Sequence, residues 1–160
     1  MPAKEGRLKH LFSPITIKTM KLKNRIVMPA MGTLSANLDS TISERQMYYY
    51  EAQAKGGVGL IVVEIAEVHP SSAFMMLIGI HDDKFIPGLK MLTDSVHAAG
   101  AKIAIQLHHP GRQFVAVEGR APWAPSAVPC PCSRGSDRPL YSASSAFSRI
   151  TGMATMVSKG

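Results

Sequence analysis

The sequence predicts an α/β fold with a parallel sheet, and three observations indicate it. Two continuous apolar runs, residues 58–63 and 101–107, have the pattern of strands that are buried on both faces. A segment with helical periodicity precedes each run, and a glycine ends each helical segment. A β-prone piece, residues 25–28, precedes the first helix. The order strand, helix, strand, helix, strand favours parallel strands joined by right-handed crossovers.

The β-prone pieces near the start of the chain are short. Residues 15–17 are typical of one arm of a small hairpin whose turn is predicted at residues 18–21. Residues 25–28 predict the first strand of the parallel sheet. Small or turn-forming residues follow this strand, and such residues allow a ligand to approach the backbone closely. They are Pro29, Ala30, Met31 and Gly32.

Both helices carry start or stop signals. Ser43 is the predicted N-cap of the first helix, with Gln46 at the capping-box position and a glycine pair at residues 56–57 to end it. The second helix is predicted to end at Gly100. Its apolar face is formed by residues at helical spacing: Leu89, Leu92, Val96 and Ala99.

Composition places the chain among globular proteins of one domain. It has 160 residues, of which 46% are hydrophobic and 18% are charged. We find no apolar run of about 18 residues, and the first residues carry charges where a signal peptide would be apolar. We therefore expect a cytoplasmic protein that does not bind a membrane.

The formal net charge of +7 raises the question of a polyanionic partner. The basic residues are spread through the first segment without interleaved aromatic residues, so a solvated basic face is the preferred interpretation and no nucleic-acid partner is expected. The two cysteines, Cys130 and Cys132, are one residue apart. Ordinary loop thiols are the preferred interpretation, and a metal site shared with His108 and His109 is the alternative. We expect no metal.

Polar side chains interrupt the apolar run that begins at Ala101. Gln106, His108 and His109 stand at or just past the end of this strand. In parallel α/β folds, ligands bind beyond the carboxyl ends of the strands. The turn after Met28 and residues 64–66 are predicted on the same rim. Three strand ends are therefore expected to converge on one site.

Four stretches of the sequence resemble a known family. They are LFSPITIKTMKLKNRIVMPAMG, YYYEAQAKGGVGLIVVEIAEV, AKIAIQLHHPGRQ and APWAPSAVPCP. In this order and at this spacing they resemble the N-terminal part of the old yellow enzyme family of FMN-dependent oxidoreductases. The branch is that of the bacterial NADH:flavin oxidoreductases, near the dienoyl-CoA reductases. The resemblance covers residues 9–132 and implies a (β/α)₈ TIM barrel, of which this chain supplies about three strands.

The resemblance also implies a set of flavin contacts. The backbone of four residues after the first strand would run along the isoalloxazine ring, a fifth residue would contact it mainly through backbone, and a carboxamide would both donate to and accept from its pyrimidine edge. These residues are Pro29, Ala30, Met31, Gly32, Ile65 and Gln106. Many relatives carry a thiol, hydroxyl or imidazole at the position of Gly32, and the neighbouring Thr33 is a candidate substitute. His108 and His109 are expected to form hydrogen bonds on the rim.

The implied reaction uses NADH or NADPH to reduce FMN, and the substrate is a small alkene conjugated to a carbonyl. No catalytic residue is assigned, because the resemblance places the acid–base groups and the FMN phosphate contacts on later strands. Residues 1–132 are predicted to be the N-terminal part of the barrel, and residues 133–160 an irregular, divergent tail, so the chain is expected to be truncated. The alternative is a non-catalytic barrel fragment that associates through exposed sheet edges, with a homo-oligomer as one outcome of such association.

Overall fold

The computed structural model describes residues 8–72, 76–113, 123–124, 128 and 140–141. A small hairpin comes first, in which β1 (Ile15–Ile17) pairs antiparallel with β2 (Met20–Leu22). The predicted hairpin is confirmed, but its turn is shorter than predicted, because residues 20 and 21 already belong to β2. Lys18 in this turn has a φ of 52°, in the left-handed region.

Helix α1 begins and ends where its local signals predict, and α2 ends just before the predicted Gly100. Helix α1 spans Glu44–Lys55, and helix α2 spans Ile86–Ala98. The capping box is present: the Oγ of Ser43 accepts from the backbone N–H of Gln46 at 3.2 Å, and Oε1 of Gln46 accepts from the backbone N–H of Ser43 at 3.2 Å. Gly57 and Gly100 follow the helices with φ of 99° and 76°, a conformation that is unfavourable for residues with a side chain.

The main sheet has β4 (Leu60–Glu67) at its centre. Strand β6 (Lys102–His108) pairs along one edge of β4. Strands β3 (Val27–Met28) and β5 (Ile78–Gly79) share the other edge, with β3 beside the start of β4 and β5 beside its end. All three pairings are parallel, so the predicted parallel sheet is confirmed.

Several bounds in this sheet differ from the prediction: β3 covers only Val27–Met28 of the predicted residues 25–28, and β6 lies one residue later than the predicted run 101–107. Strand β4 was expected over residues 58–63, but it begins at Leu60 and continues to Glu67. Strand β5 lies between the second strand and the second helix of the predicted order, where no strand was predicted. The extension of β4 has a cause on each edge: Ala66 and Glu67 pair with β5 on one side and with Leu107 and His108 of β6 on the other, past the apolar run that predicted the strand.

The core lies between the sheet and the two helices. Less than a tenth of the surface of each core residue is exposed to solvent. Burial of each aliphatic or aromatic side chain stabilises the fold by about 1.5–3 kcal/mol. The central ones are Tyr50 and Ala54 of α1, Ile61 and Val63 of β4, and Leu92 and Val96 of α2. The face predicted for α2 is therefore the face that packs, with Leu89 and Ala99 partly buried against the same core.

Two further strands lie later in the chain. Strand β7 (Trp123–Ala124) pairs in parallel with β8 (Leu140–Tyr141). Strand β8 falls in the segment predicted as an irregular tail, and the remainder of that segment lies outside the described residues. The division at residue 132 thus stays a prediction. No helix in the described part of the chain has the length and apolar content needed to cross a membrane.

Candidate functional site

The predicted site residues lie together on the carboxyl-end rim of the sheet. Met28, the last residue of β3, pairs with Ile61, and further along β4 Ile65 pairs with Gln106 of β6. The segment after Met28 and these two residues therefore lie toward the carboxyl ends of three neighbouring parallel strands. Ile65 was expected past the end of its strand, but it lies inside β4.

The exposure of these residues differs from one to the next. Pro29, Met31, Gly32 and Gln106 are exposed, whereas Ala30 and Ile65 are partly buried. A Cβ added to Gly32 would meet no atom within 4 Å, so the position faces open space. The structure brings all six predicted residues to one rim, and their contact with a flavin remains a prediction.

A β-bulge places one acidic residue beside this rim. The pairing of β4 with β6 passes from Val63 and Ile105 directly to Ile65 and Gln106, so Glu64 is an extra residue on β4. Its backbone N–H donates to the hydroxyl of Tyr50 at 3.0 Å instead of joining the ladder. The residue is fully buried, at 0% exposure. Bulges redirect side chains, and this one directs Glu64 toward helix α1 and the segment after β3.

The Glu64 carboxylate accepts five hydrogen bonds. Its Oε2 accepts from the backbone N–H of Thr33 at 2.6 Å and of Leu34 at 3.3 Å. Its Oε1 accepts from the hydroxyl of Thr33 at 2.6 Å, from Nε2 of Gln46 at 2.8 Å and from the hydroxyl of Tyr50 at 3.3 Å. All five donors are neutral, and this set fits an ionised carboxylate, which only accepts.

Tyr50 is suited to donate here. Burial, together with the nearby Glu64 carboxylate, raises the pKa of Tyr50 well above its ordinary value. The phenol therefore stays protonated. Because its oxygen accepts from the backbone N–H of Glu64, its proton is directed at the Glu64 carboxylate.

Thr33 is not available for the role that the sequence suggested. Its hydroxyl donates to Glu64 and lies 2.6 Å from the hydroxyl of Ser35. The sequence suggested Thr33 as a substitute for the side chain that Gly32 lacks. In the structure its hydroxyl donates to the Glu64 carboxylate instead.

A second polar cluster joins the segments after β4 and β6. The backbone N–H of Gly111 donates to Nδ1 of His109 at 3.0 Å, so the proton of His109 is on Nε2, which lies 3.0 Å from the Oγ of Ser71. The backbone N–H of Ser71 donates to Nδ1 of His69 at 3.1 Å, and the Ser71 hydroxyl lies 2.8 Å from the same nitrogen. A chain of hydrogen bonds thus runs from His109 through Ser71 to His69.

The two histidines of the motif differ in their environment. Burial lowers the pKa of His109, and the nearby His69 and His108 lower it further. The rim hydrogen bonds predicted for this pair are confirmed for His109. The Nδ1 of His108 is buried and has no hydrogen-bond partner among the described residues.

The alternative of a metal site finds no support in the described ranges. No group of three or more His, Cys, Asp or Glu side chains could hold a metal ion there. Cys130 and Cys132 lie outside the described residues, so their interpretation stays a prediction.

Sequence reasoning did not identify Glu64 as the centre of a cluster. The available signal was an acidic residue inside the otherwise apolar stretch LIVVEIA, at a position that becomes 0% exposed. A buried carboxylate needs several donors, so such a residue predicts a polar cluster. The donors themselves come from a separate loop and helix, and no local pattern connects them.

Comparison with known proteins agrees with this fold. The model of the NADH:flavin oxidoreductase / NADH oxidase family matches residues 10–148. An NADH oxidase from Thermoanaerobacter brockii is 45% identical over 125 residues, which are 76% of this chain and 19% of that protein. An NADPH dehydrogenase from Clostridium acetobutylicum is 40% identical over 119 residues, which are 74% of this chain and 35% of that protein.

Solved structures give the same result. The old yellow enzyme homologue from Zymomonas mobilis superposes with a TM-score of 0.66 at 32% identity, over 74% of this chain and 33% of that one. The fold is thus the N-terminal portion of a TIM barrel. The chain belongs to the NADH:flavin oxidoreductase / NADH oxidase family, and the resemblance to old yellow enzymes is confirmed. At the level of the family, so are FMN and NADH or NADPH as cofactors.

Proposed function

We propose that this chain supplies one side of an FMN site in an oxidoreductase that uses NADH or NADPH. One observation supports the proposal above all others. Residues 29–32 and the paired residues Ile65 and Gln106 lie on the same rim of adjacent parallel strands. The chain spans 19% and 35% of the two curated relatives described above, so the activity of a whole enzyme is part of the proposal.

The exposed groups on this rim fit a flavin. The carboxamide of Gln106 offers an N–H donor and an oxygen acceptor, and the pyrimidine edge of a flavin carries both complementary types. Met31 is 48% exposed and offers a polarisable thioether to an aromatic ring. The open space at Gly32 leaves the backbone accessible. Bound FMN would supply the hydride chemistry, and the protein residues would orient the ring and exclude water from one side.

The substrate we propose is a small alkene conjugated to a carbonyl. Its support is the family resemblance, together with relatives whose names denote reductases and dehydrogenases. From the hydropathy and charge pattern of the sequence we propose a cytoplasmic location without nucleic-acid or membrane partners. No described residue is assigned to proton transfer.

The proposal is tested by replacing the carboxamide. Gln106→Leu should weaken FMN binding by roughly tenfold to a hundredfold, because up to two hydrogen bonds to the flavin are lost. The measurement is flavin fluorescence during titration of the purified chain. Gln113→Leu is the matched control, since Gln113 is also exposed and lies seven positions later. Equal FMN affinity in both variants would remove the basis for assigning Gln106.

The second candidate function is association through the sheet edge. Among the described residues, β6 pairs only with β4, and its outer edge has no strand partner. Leu107 on this strand is 41% exposed. Unpaired parallel edges with apolar side chains favour association with another chain. Sedimentation velocity over a range of concentrations tests whether the chain self-associates. Self-association of a colourless protein that cannot be reconstituted with FMN supports the second candidate.

A further inference from the structure

We infer that Glu64 is a positioning residue whose carboxylate holds the segment after β3 in place on the rim. The segment in question is residues 29–35, which carries the first predicted flavin contacts. The consequence for cofactor binding rests on the proposed function, whereas the positioning itself rests on the hydrogen bonds described above. Neither Glu64 nor the residues that donate to its carboxylate were among the predicted flavin contacts.

The segment after β3 depends on Glu64 because it lacks a regular hydrogen-bonding partner of its own. It continues past Met28 without strand or helix structure. The backbone N–H groups of Thr33 and Leu34 both donate to Oε2 of Glu64. Leu34 has a φ of 50°, a left-handed conformation that is unfavourable for a branched side chain and persists only when surrounding contacts impose it. The carboxylate provides such a contact.

Helix α1 fixes the carboxylate from the other side. Gln46 uses both ends of its carboxamide: Oε1 accepts from the backbone N–H of Ser43, and Nε2 donates to Glu64. This arrangement settles the orientation of the Gln46 amide, because each partner has a fixed role. Ser43 also donates its hydroxyl to the carbonyl of Ser35 at 2.5 Å. The segment is therefore tied to the start of α1 both directly and through Glu64.

This geometry requires a carboxylate and not merely a polar group of the same size. Glutamine at position 64 would present one oxygen and one amide NH₂. Wherever the NH₂ points, it meets a donor: the backbone N–H groups of Thr33 and Leu34 on one side, or Nε2 of Gln46 on the other. Turning the Gln46 amide to relieve this conflict would break the capping box at Ser43.

Amide hydrogen exchange of the 160-residue chain tests the inference without any ligand. In Glu64→Gln, exchange at Thr33 and Leu34 should be about tenfold faster, the factor expected when a charged acceptor is lost. Glu67→Gln is the matched control. Glu67 is likewise 0% exposed on β4, but it accepts from Ser40 at 3.3 Å. The control should leave exchange at Thr33 and Leu34 unchanged.

A flavin readout separates this inference from the proposed function. If the native chain binds FMN, Glu64→Gln should weaken binding by about tenfold and shift the absorption bands of the bound flavin, whereas Glu67→Gln should do neither. If the native chain binds no FMN, the proposed function fails, and exchange alone decides whether Glu64 positions the segment. Unchanged exchange at Thr33 and Leu34 in a folded Glu64→Gln protein would overturn the inference.

A second pair of variants covers the case in which Glu64→Gln does not fold. Thr33→Val removes one donor to the carboxylate and preserves the branched shape, whereas Thr33→Ser retains the hydroxyl. Exchange at Leu34 should rise several-fold in Thr33→Val and remain near the native rate in Thr33→Ser. Equal rates in the two variants would also count against Glu64 as a positioning residue.

Discussion

At the scale of single residues, hydrogen-bond donors fix the accepting atoms of Glu64, which is buried, and of His109, which is partly buried. Glu64 is surrounded by amide and hydroxyl donors, which favour a carboxylate. His109 receives a backbone N–H at Nδ1, which fixes its tautomer, and burial lowers its pKa. Leaving one buried donor without a partner costs about 1–3 kcal/mol, so each cluster resists substitutions that keep size but change hydrogen-bonding character.

The lowered pKa of His109 predicts a pH dependence of stability. In the unfolded chain this imidazole has a pKa of about 6.5, and in the folded chain its pKa is lower, so the unfolded chain binds more protons in the interval between the two values. The contribution of the neutral imidazole to the free energy of unfolding is complete above about pH 6.5 and is lost as the pH falls through the pKa of the folded chain. We expect the urea concentration at the unfolding midpoint to decrease as the pH is lowered from about 7.5 to about 5.5.

The variant His109→Gln isolates this contribution, because an amide has no charge to gain. Its urea midpoint should fall less over the same interval than the midpoint of the native chain. The difference between the two slopes belongs to residue 109, since other titrating groups are common to both proteins. Parallel slopes would mean that His109 does not titrate differently in the folded and unfolded chains.

At the scale of elements, a close contact joins the start of β3 to the start of β4. Asn24 donates from Nδ2 to the carbonyl of Gly57 at 2.7 Å, and its Oδ1 accepts from the backbone N–H of Ile26 at 3.1 Å. A Cβ on Gly59 would lie 2.5 Å from this Oδ1 and 2.8 Å from the Asn24 carbonyl. Gly59→Ala should therefore lower the free energy of unfolding by about 1–3 kcal/mol. Gly32→Ala is the control, and its effect in urea unfolding should stay within about 0.5 kcal/mol.

The elements that depend on neighbouring residues were predictable from the sequence, and those that depend on pairing were not. Ser43 and Gly100 mark helix ends through local backbone geometry, so both helices could be placed. The end of β4 depends on pairing with both β5 and β6, and the bulge at Glu64 depends on the register with β6. Register involves residues about 40 positions away, and no local pattern encodes it. The rim was therefore predictable, whereas the cluster that supports it was not.

At the scale of the whole molecule, the described chain provides one side of the proposed site. Two helices cover one face of a sheet whose rim carries residues 29–32, Ile65 and Gln106. These residues would contact the ring system of FMN. The resemblance assigns the phosphate contacts to later barrel strands, and the strands described here contribute no predicted phosphate contact. Recognition of FMN by this chain should then depend on the ring and little on the phosphate.

Riboflavin, which has the same ring and no phosphate, tests this division. At about 1 M salt the Debye length is about 3 Å, so general attraction of the phosphate to the net charge of +7 is suppressed. Under these conditions we expect the dissociation constants of FMN and riboflavin to agree within about threefold, a difference below 1 kcal/mol. Calorimetric or fluorescence titration gives both values. FMN binding more than about tenfold tighter at high salt would place a phosphate site within these 160 residues and contradict the division.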